Sequence, residues 1–202
     1  MDGAAADCSK AIELDRRLPG AYSMRAVIRW DKGDADGAAA DFDKALALDT
    51  RNPNLFRVRG MLRLQKRDLA DLDEAVALDP SLSSYEMRAL VRFQKGDYDE
   101  AVEDLDKAVE KSQADAKLYN LRAQAKLRMK DWGGAAADYD AAVRLDPKFP
   151  DAYLFRGLVL LNQHKDAEAQ KDFDKFLELA PDERAFVGEL VEKTKRERAP
   201  AR

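Results

Sequence analysis

An aromatic residue recurs along this chain at a spacing of 34 residues, and this repetition constrains the fold more than any other feature. Only the second of the four intervals is shorter, at 29 residues. The aromatic positions are Tyr22, Phe56, Tyr85, Tyr119 and Tyr153. Four residues after each one comes a small residue: Ala26, Gly60, Ala89, Ala123 and Gly157. Self-similarity at this period is typical of an array of short repeats that bury their apolar faces against one another.

Each repeat contains two segments with helical periodicity. Tyr119, Arg122 and Ala123 are separated by three and four residues, and so lie on one face of a helix. Ala135 and Tyr139 mark a similar face in the second segment. The 202 residues include 34 Ala but only 10 Val, 2 Ile and 2 Thr, which favours helices over strands. The sequence therefore predicts an all-α chain of helix pairs.

The pattern resembles the tetratricopeptide repeat, in which an aromatic residue, small residues at two fixed places and a closing proline recur about every 34 residues. The resemblance implies an all-α, right-handed superhelical solenoid of antiparallel helix pairs with a C-terminal capping helix. We expect a single domain over residues 1–202, made of a lone second helix, five repeats and the cap. Their expected bounds are 2–18, 19–52, 53–81, 82–115, 116–149, 150–183 and 184–198. The sequence does not indicate whether the short repeat 53–81 has a role.

An arginine follows each aromatic by three residues, and an aspartate recurs at one place in the second helices. The arginines are Arg25, Arg59, Arg88, Arg122 and Arg156. The aspartates are Asp7, Asp41, Asp71, Asp104, Asp138 and Asp172. Each arginine adjoins a packing position, where an unpaired charge would be costly. We therefore expect structural ion pairs between helices, in preference to a row of arginines offered to an acidic ligand.

The first helix of each repeat carries the expected partner contacts, because first helices line the concave face of the superhelix in the family that the chain resembles. There an apolar stripe mixes with amides and arginines, which suits a peptide with apolar side chains and free backbone groups. The expected contacts are Trp30, Arg57, Met61, Gln65, Phe93, Gln94, Asn120, Gln124, Arg128 and Leu154. The Lys/Asn clamp that holds a C-terminal carboxylate in some members is not matched, since Ser83 and Glu86 stand at its places.

We expect no catalytic, metal or cofactor site. The chain has one Cys, one His, no glycine-rich phosphate loop and no nucleophile elbow. Its 35 basic and 39 acidic residues argue against a nucleic-acid or membrane partner, and the basic tail 193–202 is short. A signal peptide and a transmembrane segment are not apparent, which favours the cytoplasm.

These features predict a non-catalytic scaffold or adaptor that binds a peptide or a partner protein in its concave groove, with a monomer favoured. The alternative is a structural or self-assembling segment of a larger regulatory protein. Residues 2–18 match a second helix without a first helix before it, so we expect either a fragment of a longer array or an N-terminal cap.

Overall fold

The computed structural model describes residues 2–62 and 69–198, without the side chains of residues 2, 61 and 62. Every regular element in this part of the chain is a helix, so the predicted all-α fold is confirmed. The helices are α1 Asp2–Leu14, α2 Pro19–Asp31, α3 Ala35–Leu48, α4 Pro53–Leu62, α5 Ala70–Leu78, α6 Leu82–Lys95, α7 Tyr98–Lys111, α8 Ala116–Arg128, α9 Trp132–Leu145, α10 Pro150–Asn162, α11 Asp166–Leu179 and α12 Arg184–Glu197. A 3-10 turn, Pro181–Glu183, precedes α12.

The helices form two compact units, Met1–Lys95 and Gly96–Arg202. In the first unit, each helix from α1 to α6 packs against the next one along the chain. In the second unit, α7 to α11 follow the same rule, and α12 packs against α10. The expected packing of consecutive helices is therefore confirmed within each unit. The boundary between the units falls between α6 and α7, inside the expected repeat 82–115.

Tight turns join the two helices of a repeat through a residue in the left-handed conformation. Gly33 has φ 81°, and Asp34 then caps α3 by accepting a hydrogen bond from the Gly37 backbone N–H at 2.9 Å. Lys130 and His164 adopt the same conformation, with φ 62° and 61°, although each carries a Cβ atom that disfavours it. The turn geometry is therefore imposed by helix pairing even where glycine is absent.

The small residues of the repeat lie where paired helices approach most closely. Ala26 of α2 and Ala38 of α3 are fully buried in a cluster with Phe42. A Cβ atom on Gly157 of α10 would lie 2.6 Å from Cε1 of Phe173 in α11, inside van der Waals contact. The recurring small residue therefore makes room for a large apolar side chain on the partner helix.

The last helix, α12, covers the end of the second unit. Val187 of α12 is buried in the apolar cluster that contains Tyr153 and Phe173. At the other end of α12, Arg198 Nη1 donates a hydrogen bond to the Leu161 carbonyl at 3.0 Å, and the guanidinium pairs with Asp166. The pairing lowers the pKa of Asp166 below its usual value. Both ends of α12 are thus held against α10 and α11.

Candidate functional site

The repeated arginines connect helices through their guanidinium groups. Arg156 of α10 is a complete example: Nε and Nη2 donate to the two carboxylate oxygens of Asp172 at 2.7 and 2.6 Å. Nη1 donates to Asp140 of α9 at 2.8 Å, and the guanidinium carbon lies 5.6 Å from the centroid of the Tyr153 ring. One side chain therefore joins α9, α10 and α11 by bidentate hydrogen bonding, a second ion pair and a cation–π contact.

The same geometry recurs along the chain, and we call Arg25, Arg59, Arg88, Arg122 and Arg156 the arginine ladder. Two members repeat the full set of ion pairs: Arg59 with Asp71 and Asp43, and Arg122 with Asp138 and Asp106. The other described contacts are Arg25 with Asp41 and the Ser9 hydroxyl, and Arg88 with Asp73. Of the two remaining aspartates of the expected set, Asp104 is buried and Asp7 is exposed.

The guanidinium groups of the arginine ladder are already paired with aspartates of the same chain. Hydrogen bonds to aspartate raise the pKa of Arg25, Arg59, Arg122 and Arg156 above the usual arginine value, against the opposing effect of burial. Asp41 also accepts a hydrogen bond from Arg29 at 3.0 Å, and Asp138 also accepts one from Lys126 at 2.8 Å. Because the guanidinium groups are engaged with carboxylates of the chain itself, the ladder offers little to an external acidic ligand.

Sequence reasoning missed a further carboxylate partner of four ladder arginines, the exception being Arg25, whose Nη1 donates to the Ser9 hydroxyl. These residues stand two places after the buried aspartates, at Asp43, Asp73, Asp106 and Asp140. The signal that could have found them is an Asp-x-Asp motif repeated in the second helices. The motif places the two carboxylates at different angles on one helix, so that one faces the helix of its own repeat and the other faces the next.

In the first unit, residues of α2, α3 and α4 line an open apolar groove of about 330 Å³. Met24 and Val27 of α2 remain 61% and 44% exposed beside it. The lining residues are Ser23, Met24, Val27, Ile28, Phe42, Asn54, Leu55 and Val58. We call this surface the α2–α4 groove.

The expected contacts of the first unit differ in exposure. Trp30 and Gln94 are exposed, whereas Phe93 and Arg57 are half-buried. The Arg57 Nε atom is buried without a hydrogen-bond partner among the described residues. The Met61 side chain and Gln65 lie outside the described residues. The described side chains among these expected contacts do not line the α2–α4 groove, which is formed by other residues of α2, α3 and α4.

In the second unit, Asn120, Gln124 and Arg128 follow one another at four-residue intervals along α8 and therefore share a face. Arg128 is exposed, Gln124 is half-buried and Asn120 is only 8% exposed. The Asn120 Oδ1 atom is buried and has no hydrogen-bond partner in the described part of the chain. Leu154 requires a correction: it is 5% exposed and belongs to the apolar cluster of α10, α11 and α12, so it has little surface to offer a partner.

The described residues contain no group of three or more His, Cys, Asp or Glu side chains that could hold a metal ion. Across the same residues, no helix combines the length and the apolar character needed to cross a membrane.

Three family models match the chain. The model described as TPR repeat matches residues 89–130, and two models described as tetratricopeptide repeat match residues 19–52 and 120–184. Together the matches extend over more than half of the sequence. The chain belongs to the tetratricopeptide repeat family.

Solved structures share this fold. YrrB, described as a TPR protein with an unusual peptide-binding site, is 20% identical with a TM-score of 0.76, over 94% of this chain and 99% of YrrB. A crystal structure of MamA is 23% identical with a TM-score of 0.74, over 83% of this chain and 94% of MamA. The C-terminal part of a TPR repeat-containing protein from Cytophaga hutchinsonii is 22% identical with a TM-score of 0.75, over 88% and 73%. A search of curated proteins finds no match.

Proposed function

We propose that this chain is a non-catalytic scaffold that binds a peptide segment of a partner protein, with the α2–α4 groove as the main contact in the first unit. The observation that carries the proposal is the exposure of Met24 and Val27 beside an apolar groove. Contiguous exposed apolar side chains cost free energy in water and mark interaction surfaces. YrrB, which shares the fold, is described as having a peptide-binding site.

The chemistry of the groove selects the kind of peptide. Apolar side chains such as Ile28 and Leu55 form most of the lining, and they favour an aliphatic or aromatic side chain of the ligand. Asn54 is exposed, and its side-chain amide can both donate to and accept from a peptide backbone. The preferred ligand is therefore an uncharged apolar residue within a segment whose backbone groups are free.

The polar face of α8 provides a second expected contact, in the second unit. Asn120 is almost fully buried, so the surface that this face offers is that of Gln124 and Arg128. The half-buried Gln124 side-chain amide can both donate to and accept from the backbone of a bound peptide. Arg128, one helical turn further along and exposed, can interact with an acidic residue of the same peptide.

Selection from a random peptide library displayed on phage, followed by titration calorimetry, tests the proposal. We expect the chain to enrich peptides with large apolar residues, and Val27→Glu to weaken their binding at least about tenfold because a charge enters the apolar groove. Lys44→Glu is the matched control, since Lys44 is exposed on α3 and does not line the groove.

Two outcomes would contradict the proposal: a library that yields no enriched peptide, or peptides that bind wild type and Val27→Glu equally. Circular dichroism must show that both variants are as helical as the wild type. The same titrations with Gln124→Ala determine whether the α8 face takes part.

A further inference from the structure

In two repeats, the buried aspartate of the second helix accepts hydrogen bonds from two cations through one carboxylate oxygen. Asp41 Oδ2 accepts from the ladder arginine of its repeat at 2.8 Å and from Arg29 Nη1 at 3.0 Å. Asp138 Oδ2 accepts from its ladder arginine at 2.9 Å and from Lys126 Nζ at 2.8 Å. The second cation stands four residues after the ladder arginine in both repeats.

The repeat formed by α10 and α11 lacks this second cation. Leu160 stands four residues after the ladder arginine Arg156, at the place equivalent to Arg29 and Lys126. Within the described residues, Asp172 Oδ2 accepts from Arg156 Nε alone, at 2.7 Å. The carboxylate of Asp172 therefore keeps one acceptor position that its equivalents use for an ammonium or a guanidinium.

A cavity of about 410 Å³ lies at this position, lined by residues of α9, α10 and α11. We call it the Asp172 cavity. Asp172 is 5% exposed and is one of its lining residues. Leu160 and Ala136 provide apolar surface, and Glu168, exposed on α11, provides a further carboxylate. The cavity thus combines an apolar wall with carboxylate oxygens, where the α8–α9 repeat holds a lysine side chain of its own.

We propose that the Asp172 cavity binds the alkylammonium group of a lysine side chain on a partner protein. The ammonium takes the place equivalent to that of Lys126 Nζ and donates to Asp172 Oδ2, with Glu168 as a second acceptor. The methylene groups of the same side chain pack on Leu160 and Ala136, since a lysine stem buries apolar surface while its charge stays paired.

The cations of the cavity favour a lysine over an arginine or a diamine. Lys165 and Lys171 line the cavity, are exposed and form no ion pair within the described residues. Arg29 also pairs with Asp34 at 3.7 Å, and the place equivalent to Asp34 holds Lys165, which repels a guanidinium in the same pose. A diamine brings a second cation towards the two lysines. The preferred ligand is therefore a lysine beside an acidic residue.

Amide chemical shifts of the ¹⁵N-labelled chain, titrated with the acetylated and amidated peptide GKDG, test the inference. We expect saturable changes at Leu160, Glu168 and Asp172. The same peptide with norleucine in place of lysine lacks the ammonium and should bind at least about tenfold more weakly. Putrescine, a diamine, should also bind more weakly than GKDG. Chemical shifts suit this test because a single partly exposed ion pair gives weak binding.

Leu160→Lys should block the cavity, because the chain then supplies the ammonium itself, as Lys126 does in α8. We expect at least about tenfold weaker binding of GKDG. Leu145→Lys is the matched control: it makes the same change on α9 at a residue that is 39% exposed and outside the cavity, and it should leave binding unchanged. The spectrum of each free variant checks its fold.

The reciprocal variant, Lys126→Leu, removes the second cation from Asp138 and should create a second site of the same chemistry. GKDG should then cause saturable shift changes at Asp138 that the wild type does not show. This gain of binding tests the inference independently, including the case in which Leu160→Lys does not fold.

Three results would overturn the inference. The first is equal binding of GKDG and the norleucine peptide, and the second is binding that a folded Leu160→Lys leaves unchanged. The third is tighter binding of putrescine than of GKDG, which would assign the cavity to a free amine. The inference does not depend on the α2–α4 groove, whose peptides are apolar and whose test uses Val27→Glu.

Discussion

Arg25 and Val27 lie two positions apart in α2 and belong to two regions of the molecule with different roles. Arg25 belongs to the arginine ladder, is the same in all five repeats and is surrounded by groups of its own chain. Val27 belongs to the α2–α4 groove and is 44% exposed, and its equivalent in α8 is the polar Gln124. Residues that repeat in register join the helices, whereas residues that vary between repeats, such as Val27, are the ones that contact the peptide in the function proposed above. Substitutions in the two regions can separate these roles.

The largest expected effect comes from Arg156→Met. This change leaves Asp172 buried without its cation, and breaking such a pair costs about 3–5 kcal/mol in free energy of unfolding. Arg122→Met should cost less, because Lys126 still pairs with Asp138 at 2.8 Å. Urea denaturation followed by circular dichroism measures both. Arg144→Met, on the exposed side of α9, is the control and should change stability by less than about 0.5 kcal/mol.

Equal stability of Arg156→Met and Arg144→Met would contradict the structural role of the arginine ladder, because a ladder arginine would then contribute no more to the free energy of unfolding than an ordinary surface charge. A larger loss in Arg122→Met than in Arg156→Met would show that the second cation at Asp138 is not a substitute for arginine.

Helix pairing could be predicted from sequence because it depends on residues that repeat, and the arginine and its buried aspartate recur together. The groove could not be predicted, since its width depends on the separation of α2 and α4, which no local pattern encodes. Leu154 shows why: it occupies the same place in its repeat as Ser23, which lines the groove. Leu154 is instead enclosed in a cluster with Val187 of α12. The position of a residue within its repeat predicts the face of the helix on which it lies. It does not predict which neighbouring element covers that face.

A smaller loss is expected for Gly157→Ala, which tests the close approach of paired helices. The new methyl group would lie 2.6 Å from the Phe173 ring and would force the ring or the helices apart, at a cost of about 1–3 kcal/mol. Gly188→Ala in α12 meets no atom within 4 Å and should stabilise by about 0.5–1 kcal/mol, since alanine favours a helix. Thermal melting of both variants shows whether each substitution stabilises or destabilises the protein. A Gly157→Ala variant as stable as the wild type would show that helix packing does not require a glycine at this position.

Lys130→Gly should stabilise the protein modestly. Lys130 lies in the left-handed region at φ 62°, where its Cβ atom is strained and glycine is not, so we expect a gain of about 0.5–1 kcal/mol. Lys130→Ala keeps the strain and serves as the control for loss of the charge. If glycine and alanine melt at the same temperature, the turn relaxes freely and is not imposed by the pairing of α8 with α9.

The smallest effect on stability is expected for Val27→Ser in the α2–α4 groove. Val27 is 44% exposed, and valine and serine have similar helix propensities, so the free energy of unfolding should change by less than about 0.5 kcal/mol. The same variant should bind the selected apolar peptides more weakly, because the ligand side chain loses apolar contact. Urea denaturation and calorimetry on one preparation measure both quantities. A destabilised variant with unchanged peptide binding would reverse the roles assigned to the two regions, because the groove would then be part of the framework and recognition would lie elsewhere.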